Sequence, residues 1–388
     1  MDGRYEQICS YIDGKRGEMI QFWKELVNNE SSTFMPEGVR RGGEMLKKAF
    51  EAEGFACRLI DVGGNGPTLA GILGAERGGR PIVFSGHMDT VFPPAQFGEN
   101  PFRIEDGKAY GPGVLDMKGG IVISLYVIKA LNFIGYGETP LKILYSGDEE
   151  CCHKGGRGAQ VMRDESADGL FAFNMETGLA DNRLCVGRKG SMVVNLSVKG
   201  LSAHAGNDFL AGRSAIEEMA HKVLALQALT DLDVGTTVNV GLISGGSIVN
   251  SVPSSCDIAV DIRYGQKSEE KRVRSAVEAI RRKRHVEGTS ASWNVDREMP
   301  IYETTEGVKR FYDLVCRTAE ETGVEKPGSA VLGGVSDASH VTVAGTPVIC
   351  SFGVLGQWNH TDREYALVET LFERAKLISA VILNHSKF

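Results

Sequence analysis

Four short apolar runs constrain this chain most: Pro81–Gly86 (PIVFSG), Leu141–Gly147 (LKILYSG), Gly169–Met175 (GLFAFNM) and Thr346–Gly353 (TPVICSFG). Each is too short for a helix and apolar on both sides of an extended chain, which predicts strands buried on both faces. Another, Thr68–Gly74 (TLAGILG), precedes a glycine-rich turn, and helical spacing fills the gaps, above all in Ile121–Ile134 (IVISLYVIKALNFI). Alternating strands and helices predict an α/β domain whose mixed sheet is covered by helices on both faces.

After Gly187 the period changes. SMVVNLSVKG alternates apolar and polar residues, as a strand with one wet face does. A helix near Arg213–Leu229 follows, then strands at TTVNVGLISGG and CDIAVDIRY, a helix near Ser268–Arg284 and a strand at ASWNVD. This β-α-β-β-α-β order predicts a ferredoxin-like α+β domain inserted into the first. The expected segments are 1–187 and 298–388 for the α/β domain and 188–297 for the insert. The returning segment carries predicted helices at Thr305–Thr322 and Leu367–His385.

Length and charge exclude several classes. At 388 residues the chain is too long for one core. Its net charge of -7 and the isolation of its one basic run, Arg281–His285, argue against a nucleic-acid partner; that run reads as the end of a helix. The most apolar segment is shorter than a bilayer span and contains Lys129, so no membrane partner is expected. The opening 26 residues read as an amphipathic helix without a signal-peptide core, and the eight cysteines form no C-x-x-C pair. A cytoplasmic protein with free thiols is expected.

The candidate ligands occupy one kind of position. His87, the pair Glu149 and Glu150, Glu176 and His360 each follow an apolar run, at the strand ends where open α/β sheets build their sites. Asp116 precedes its helix on the same rim. Imidazole and carboxylate together suit zinc. With Asp116 as a bridge, His87 and Glu176 complete one ion and Glu150 and His360 the other, leaving Glu149 as general base. Asp89, two residues from His87, is placed to accept the other ring proton of that histidine. Asp148, between the strand and the base, carries no assigned chemistry.

The motifs SGHMDTVFP, GPGVLDMKGG, GDEE, METG, VKGLSAHAG, GGSIVNSVPSSCDIAVDIRY, GGVSDAS and NHTDREY resemble, in order and spacing, those of the metallopeptidase-20 family. That family includes glutamate carboxypeptidase, acetylornithine deacetylase, succinyl-diaminopimelate desuccinylase and aminoacylase. The resemblance spans about residues 15–380 and implies two zinc ions, with cobalt an acceptable substitute, on His87, Asp116, Glu150, Glu176 and His360. It also implies Glu149 as base, a cis peptide after Asp116, and an insert that serves as lid and dimerisation domain. His204 would then enter the partner subunit's site to stabilise an oxyanion, and Asn250 and Arg263 would contact substrate. An ion pair on the strand is the other reading of Arg263.

The glutamate of METG, where the aminopeptidase branch usually has aspartate, favours a carboxypeptidase-like enzyme. The expected reaction cleaves an amide beside a free carboxylate in a dipeptide or N-acyl amino acid through a bridging water activated by Glu149. An N-acyl amino acid deacylase and an N-carbamoyl amidohydrolase are the alternatives, and a catalytically inactive binding protein is the non-enzymatic one. Cys151 and Cys152, and the extra imidazoles His153 and His340, read as packing residues rather than ligands.

Overall fold

The computed structural model describes residues 3–388, so Met1 and Asp2, which open the expected N-terminal helix, lie outside the described residues. Contacts divide the chain into two units. The first comprises the chain up to Gly187, then Tyr302–Leu332 and Ser336–Phe388; the second comprises Arg188–Ile301 and Gly333–Val335.

The first unit is built on a six-stranded sheet in the order Ala56–Ile60, Thr68–Leu73, Leu141–Ser146, Ile82–His87, Phe171–Asn174, Val348–Ile349. The first two pairings are antiparallel and the remaining three parallel. Leu141–Ser146 and Ile82–His87 lie side by side in register, so His87 ends opposite Ser146 and both deliver the following loops to one rim. Every residue of Ile82–His87 is buried, the state expected for a strand covered on both faces. The helix Gly119–Phe133 is buried nearly all round. Its start must be glycine: a Cβ on Gly120 would stand 1.9 Å from the Met175 carbonyl oxygen. This close approach brings the Asp116 turn beside the strand end that carries Glu176.

Two local expectations change. The N-terminal segment forms two helices, Gly3–Gly14 and Arg16–Asn28, broken at Lys15. The Thr346–Gly353 run contributes only Val348–Ile349 to the main sheet. Beyond it Phe352 N–H donates to Asn174 O and Gly353 N–H to Glu176 O, and the chain enters a second, five-stranded sheet at Leu355–Gln357. His360 therefore follows a strand of that small sheet, not of the main one. Among the described residues no helix is long and apolar enough to cross a membrane.

The second unit has the order Gly190–Lys199, Ala215–Gln227, Thr237–Gly245, Ser255–Tyr264, Lys267–Arg282, Ser290–Met299, and its sheet runs second, third, first, fourth strand, entirely antiparallel. That is the ferredoxin-like arrangement. Buried Val194, Leu196, Ile258, Val260 and Ile262 face Met219, Leu226, Val273 and Val277 from its helices. Lys222, 1% exposed, donates to the carbonyls of Ile280, Arg281 and Lys283 and pairs with Glu218 at 2.9 Å. A cation thus satisfies the orphan carbonyls that end the helix of the basic run. The last strand continues to Met299, so the unit ends at Ile301 instead of 297. Arg188 also donates to Val335 O at 3.1 Å, which ties in the short segment Gly333–Val335.

Candidate metal centre

The rim of the main sheet gathers seven of the expected site residues. His87 Nε2 stands 3.1 Å from Asp116 Oδ1 and 3.5 Å from Glu176 Oε1. His360 Nε2 stands 3.1 Å from Asp116 Oδ2 and 3.4 Å from Glu150 Oε2. The two oxygens of one aspartate thus serve two separate triads. Ligands held about 2.0–2.1 Å from a tetrahedral ion are about 3.3 Å apart, so both triads have metal-ligand spacing.

The tautomer of His87 points the same way. Its Nδ1 lies 3.1 Å from the Asp89 carbonyl oxygen, which can only accept, so Nδ1 carries hydrogen. Nε2 then presents a lone pair to two carboxylates, an arrangement that only a cation makes favourable. With a proton as that cation, burial would lower the imidazole, yet Asp116, Asp89 and Glu176 raise it well above its ordinary value. For Asp116, burial is overcome by hydrogen bonds from His360 and His87, which hold the carboxyl well below its usual range. Glu149 and Glu150 are both pushed up, first by burial and then by neighbouring carboxylates. The donor set fits a divalent metal pair, whose positive charge would replace those protons.

Local structure aims each ligand. Asp116 lies in the turn Val114–Lys118 at non-helical angles, and its peptide bond to Met117 is cis. Glu364 fixes this turn: one carboxylate oxygen accepts Leu115 N–H at 2.8 Å and Asp116 N–H at 3.1 Å. Burial and the Asp116 charge push that carboxyl up to about 8. Glu364 stands in NHTDREY, yet its sequence position gave no sign of this role. Asn359 also donates to Asp116 Oδ2 at 3.1 Å.

Asp89 faces His87 Nδ1, as its spacing suggested, with both its carbonyl and its carboxylate. The histidine bonds its backbone carbonyl, and the nearer carboxylate oxygen is 3.4 Å away. The carboxylate also accepts from the Glu149 amide at 3.3 Å and the Glu150 amide at 3.1 Å, so it positions the acidic loop. The Glu149 side chain makes no hydrogen bond or ion pair among the described residues but lies within 4.8 Å of ligand atoms of His87 and Glu176.

Asp148 has a structural partner that the sequence did not reveal. Nδ1 and Nε2 of His153 lie 2.7 Å from Asp148 Oδ1 and Asp337 Oδ1, all three residues being buried. Ser146 donates to the other Asp337 oxygen at 2.5 Å. Although His153, Asp337 and His340 could also be grouped as metal ligands, 2.7 Å is direct hydrogen-bond distance, shorter than the spacing in the two triads. His153 is a charged strut from the GDEE loop to the GGVSDAS segment. Burial opposes its charge, but Asp337 and Asp148 raise its pKa well above the ordinary value; His340, lowered by burial and by His153 to about 3, stays neutral.

Replacing His153 with alanine leaves two facing carboxylates buried, and denaturant unfolding should show a loss of about 3–5 kcal/mol. A loss under about 1 kcal/mol would remove the strut. Because the folded imidazole keeps its proton above the unfolded value of about 6.5, the contribution is complete below that pH and fades as pH rises through the elevated value. Cys151 serves the same loop: its sulfur accepts from Asn65 at 3.0 Å and lies 3.3 Å from Asp148 O.

The remaining predicted residues lie in the second unit. Ala205 N–H donates to Asn250 O at 3.0 Å and His204 bridges Ser251, so His204 and Asn250 share one exposed corner. His204 Nδ1 accepts the Gly206 and Asn207 amides, both at 3.1 Å. Arg263 grips Asp261 with two bonds, 2.8 and 2.9 Å, as the ion-pair reading held.

Known proteins are similar to this one along most of the chain. Carboxypeptidase G2 of Pseudomonas sp. (strain RS-16) is 28% identical over 375 residues, covering 94% of this chain and 89% of that protein. Succinyl-diaminopimelate desuccinylase 2 of Ruegeria sp. (strain TM1040) is 28% identical over 347 residues, covering 84% and 85%. The crystal structure of aminopeptidase PepT from Bacillus cereus ATCC 10987 superimposes with a TM-score of 0.78 at 23% identity, covering 96% of this chain and 99% of that one. An M20 family metallo-carboxypeptidase, Sso-CP2 from Sulfolobus solfataricus, gives 0.74 at 16% identity, covering 95% and 99%. The model of peptidase family M20/M25/M40 matches residues 83–384, and the chain belongs to that family of metal-dependent hydrolases.

Proposed function

We propose that this protein is a two-zinc hydrolase that cleaves an amide bond beside a free carboxylate, in a dipeptide or an N-acyl amino acid. The observation that carries this reading is the divided aspartate: each Asp116 oxygen lies 3.1 Å from a different histidine, and each histidine has its own glutamate. Ions held there would polarise the amide carbonyl and acidify a water molecule.

The chain's own residues supply the rest. Glu149, buried and without a side-chain partner among the described residues, removes a proton from the attacking water and returns it to the departing amine. Asp89 holds its loop, and Glu364 holds the Asp116 turn. His204 donates to the oxyanion from the partner subunit. A dimer through the second unit is supported by the exposed edge strand Thr237–Gly245, which shows Leu242 and Ile243 to solvent at 71% and 61%. Asn250 beside His204 contacts the substrate; Arg263 joins it only by exchanging Asp261 for the substrate carboxylate.

Zinc-loaded protein should hydrolyse C-terminal glutamyl dipeptides at least tenfold faster, by kcat/KM, than N-acetyl or N-carbamoyl amino acids. Deacylation without peptide turnover would replace the carboxypeptidase reading with the deacylase one. The curated carboxypeptidase and desuccinylase relatives stand at equal identity, so the panel makes that choice.

A further inference from the structure

The C-terminal helix Val368–Leu383 buries mainly apolar residues, with Arg374 as its one buried charge. Arg374 is 3% exposed, yet its guanidinium makes no hydrogen bond or ion pair with any described residue, and its Nη2 is fully enclosed. A buried unpaired charge is among the costliest groups a fold can contain. Burial lowers its pKa only to about 10, so it remains a cation at neutral pH.

Arg374 lines a cavity of about 400 Å³, within the range of small-molecule sites. Val324, Leu355 and Leu377 supply apolar wall, and the exposed carboxylates of Glu325 and Glu373 lie on its lining. The other cation there, Lys376, is engaged by Asp13 at 2.7 Å. All of these residues belong to the first unit, and none of them is in the metal centre.

We propose that this cavity is a second binding site, for a free α-amino acid with an apolar side chain. Its carboxylate pairs with Arg374, its side chain lies against Val324, Leu355 and Leu377, and its ammonium faces Glu325 and Glu373. Because Nη2 is enclosed, the carboxylate meets the other guanidinium nitrogens, in a charge-assisted hydrogen bond. The two acids disfavour a multiply charged anion such as phosphate, and the cavity is too large for a single small ion. The inference stands apart from the hydrolytic reading, because it uses none of the residues that reading needs.

Calorimetric titration of the full-length protein with L-leucine, 4-methylpentanoate and inorganic phosphate tests it. L-leucine should bind, Arg374→Met and Arg374→Gln should each weaken it at least tenfold, and His87→Ala should change it less than twofold. Arg374→Met should also melt at a higher temperature than the parent when no ligand is present, because the unpaired charge is gone. Unchanged binding in both Arg374 variants overturns the site, as does absence of binding by L-leucine. Loss of binding in His87→Ala assigns the ligand to the metal centre instead. Phosphate or 4-methylpentanoate binding as tightly as L-leucine overturns the amino-acid class.

Discussion

The Glu149→Ala protein is expected to keep its full metal content while losing turnover by about 10²–10⁴-fold, the usual contribution of a positioned general base. Glu149 lies within 4.8 Å of His87 and Glu176 ligand atoms, so it could be taken for a ligand itself. The proposed roles rest on a difference in surroundings. Glu150 is 3.4 Å from the His360 nitrogen, whereas Glu149 has no ion-pair partner among the described residues and is aimed by its backbone bond to Asp89. Elemental analysis beside kcat decides: a fall in bound metal equal to the fall in activity would make Glu149 a ligand. The same variant tests the proposed dimer. Mixed with His204→Ala subunits, it should recover activity, because a hybrid pair contains one site with both groups intact. Absence of recovery counts against a histidine acting across subunits.

Asp116→Ala should have the other large effect, removing metal and activity together. Asp116 is the one residue common to both triads, so its loss deprives each site of a ligand and leaves His87 and His360 without their nearest carboxylate. Zinc content should fall from about two per chain to below one, and added zinc should restore little activity. Glu364→Gln is a useful companion, since it keeps an acceptor for the Leu115 and Asp116 amides and should retain far more metal. If Asp116→Ala binds two ions with unaltered affinity, the bridging assignment fails. Dialysis of the parent protein against a chelator should likewise abolish hydrolysis reversibly; full activity without metal would sink the two-metal reading.

Much of the site was legible because its chemistry is local to strand ends. His87, Glu149, Glu150 and Glu176 announce themselves as polar residues where an apolar run stops, and a buried strand leaves such residues nowhere to go but the rim. His360 was legible as a candidate but misplaced, since two residues of strand and a crossover into a second sheet cannot be told from eight residues of strand by composition. Asp89 was legible beside His87, but its carboxylate's bonds to the Glu149 and Glu150 amides were not, because spacing does not say which loops will meet in space.

Sequence by itself determined the layered α/β unit, the period change that marks the insert, and the residue types able to hold metal, because hydrophobic periodicity and ligand chemistry are properties of neighbours along the chain. Only the tertiary structure decided that Asp116 divides its oxygens between two histidines, that Asp148 and Asp337 share His153, and that Arg374 lies buried without a partner among the described residues. Asp148 and Asp337 are 189 residues apart in the chain, counting from 148 to 337, and both contact one imidazole. Their pairing depends on which loops the sheet brings together, and the energy of a buried charge depends on what surrounds it in space.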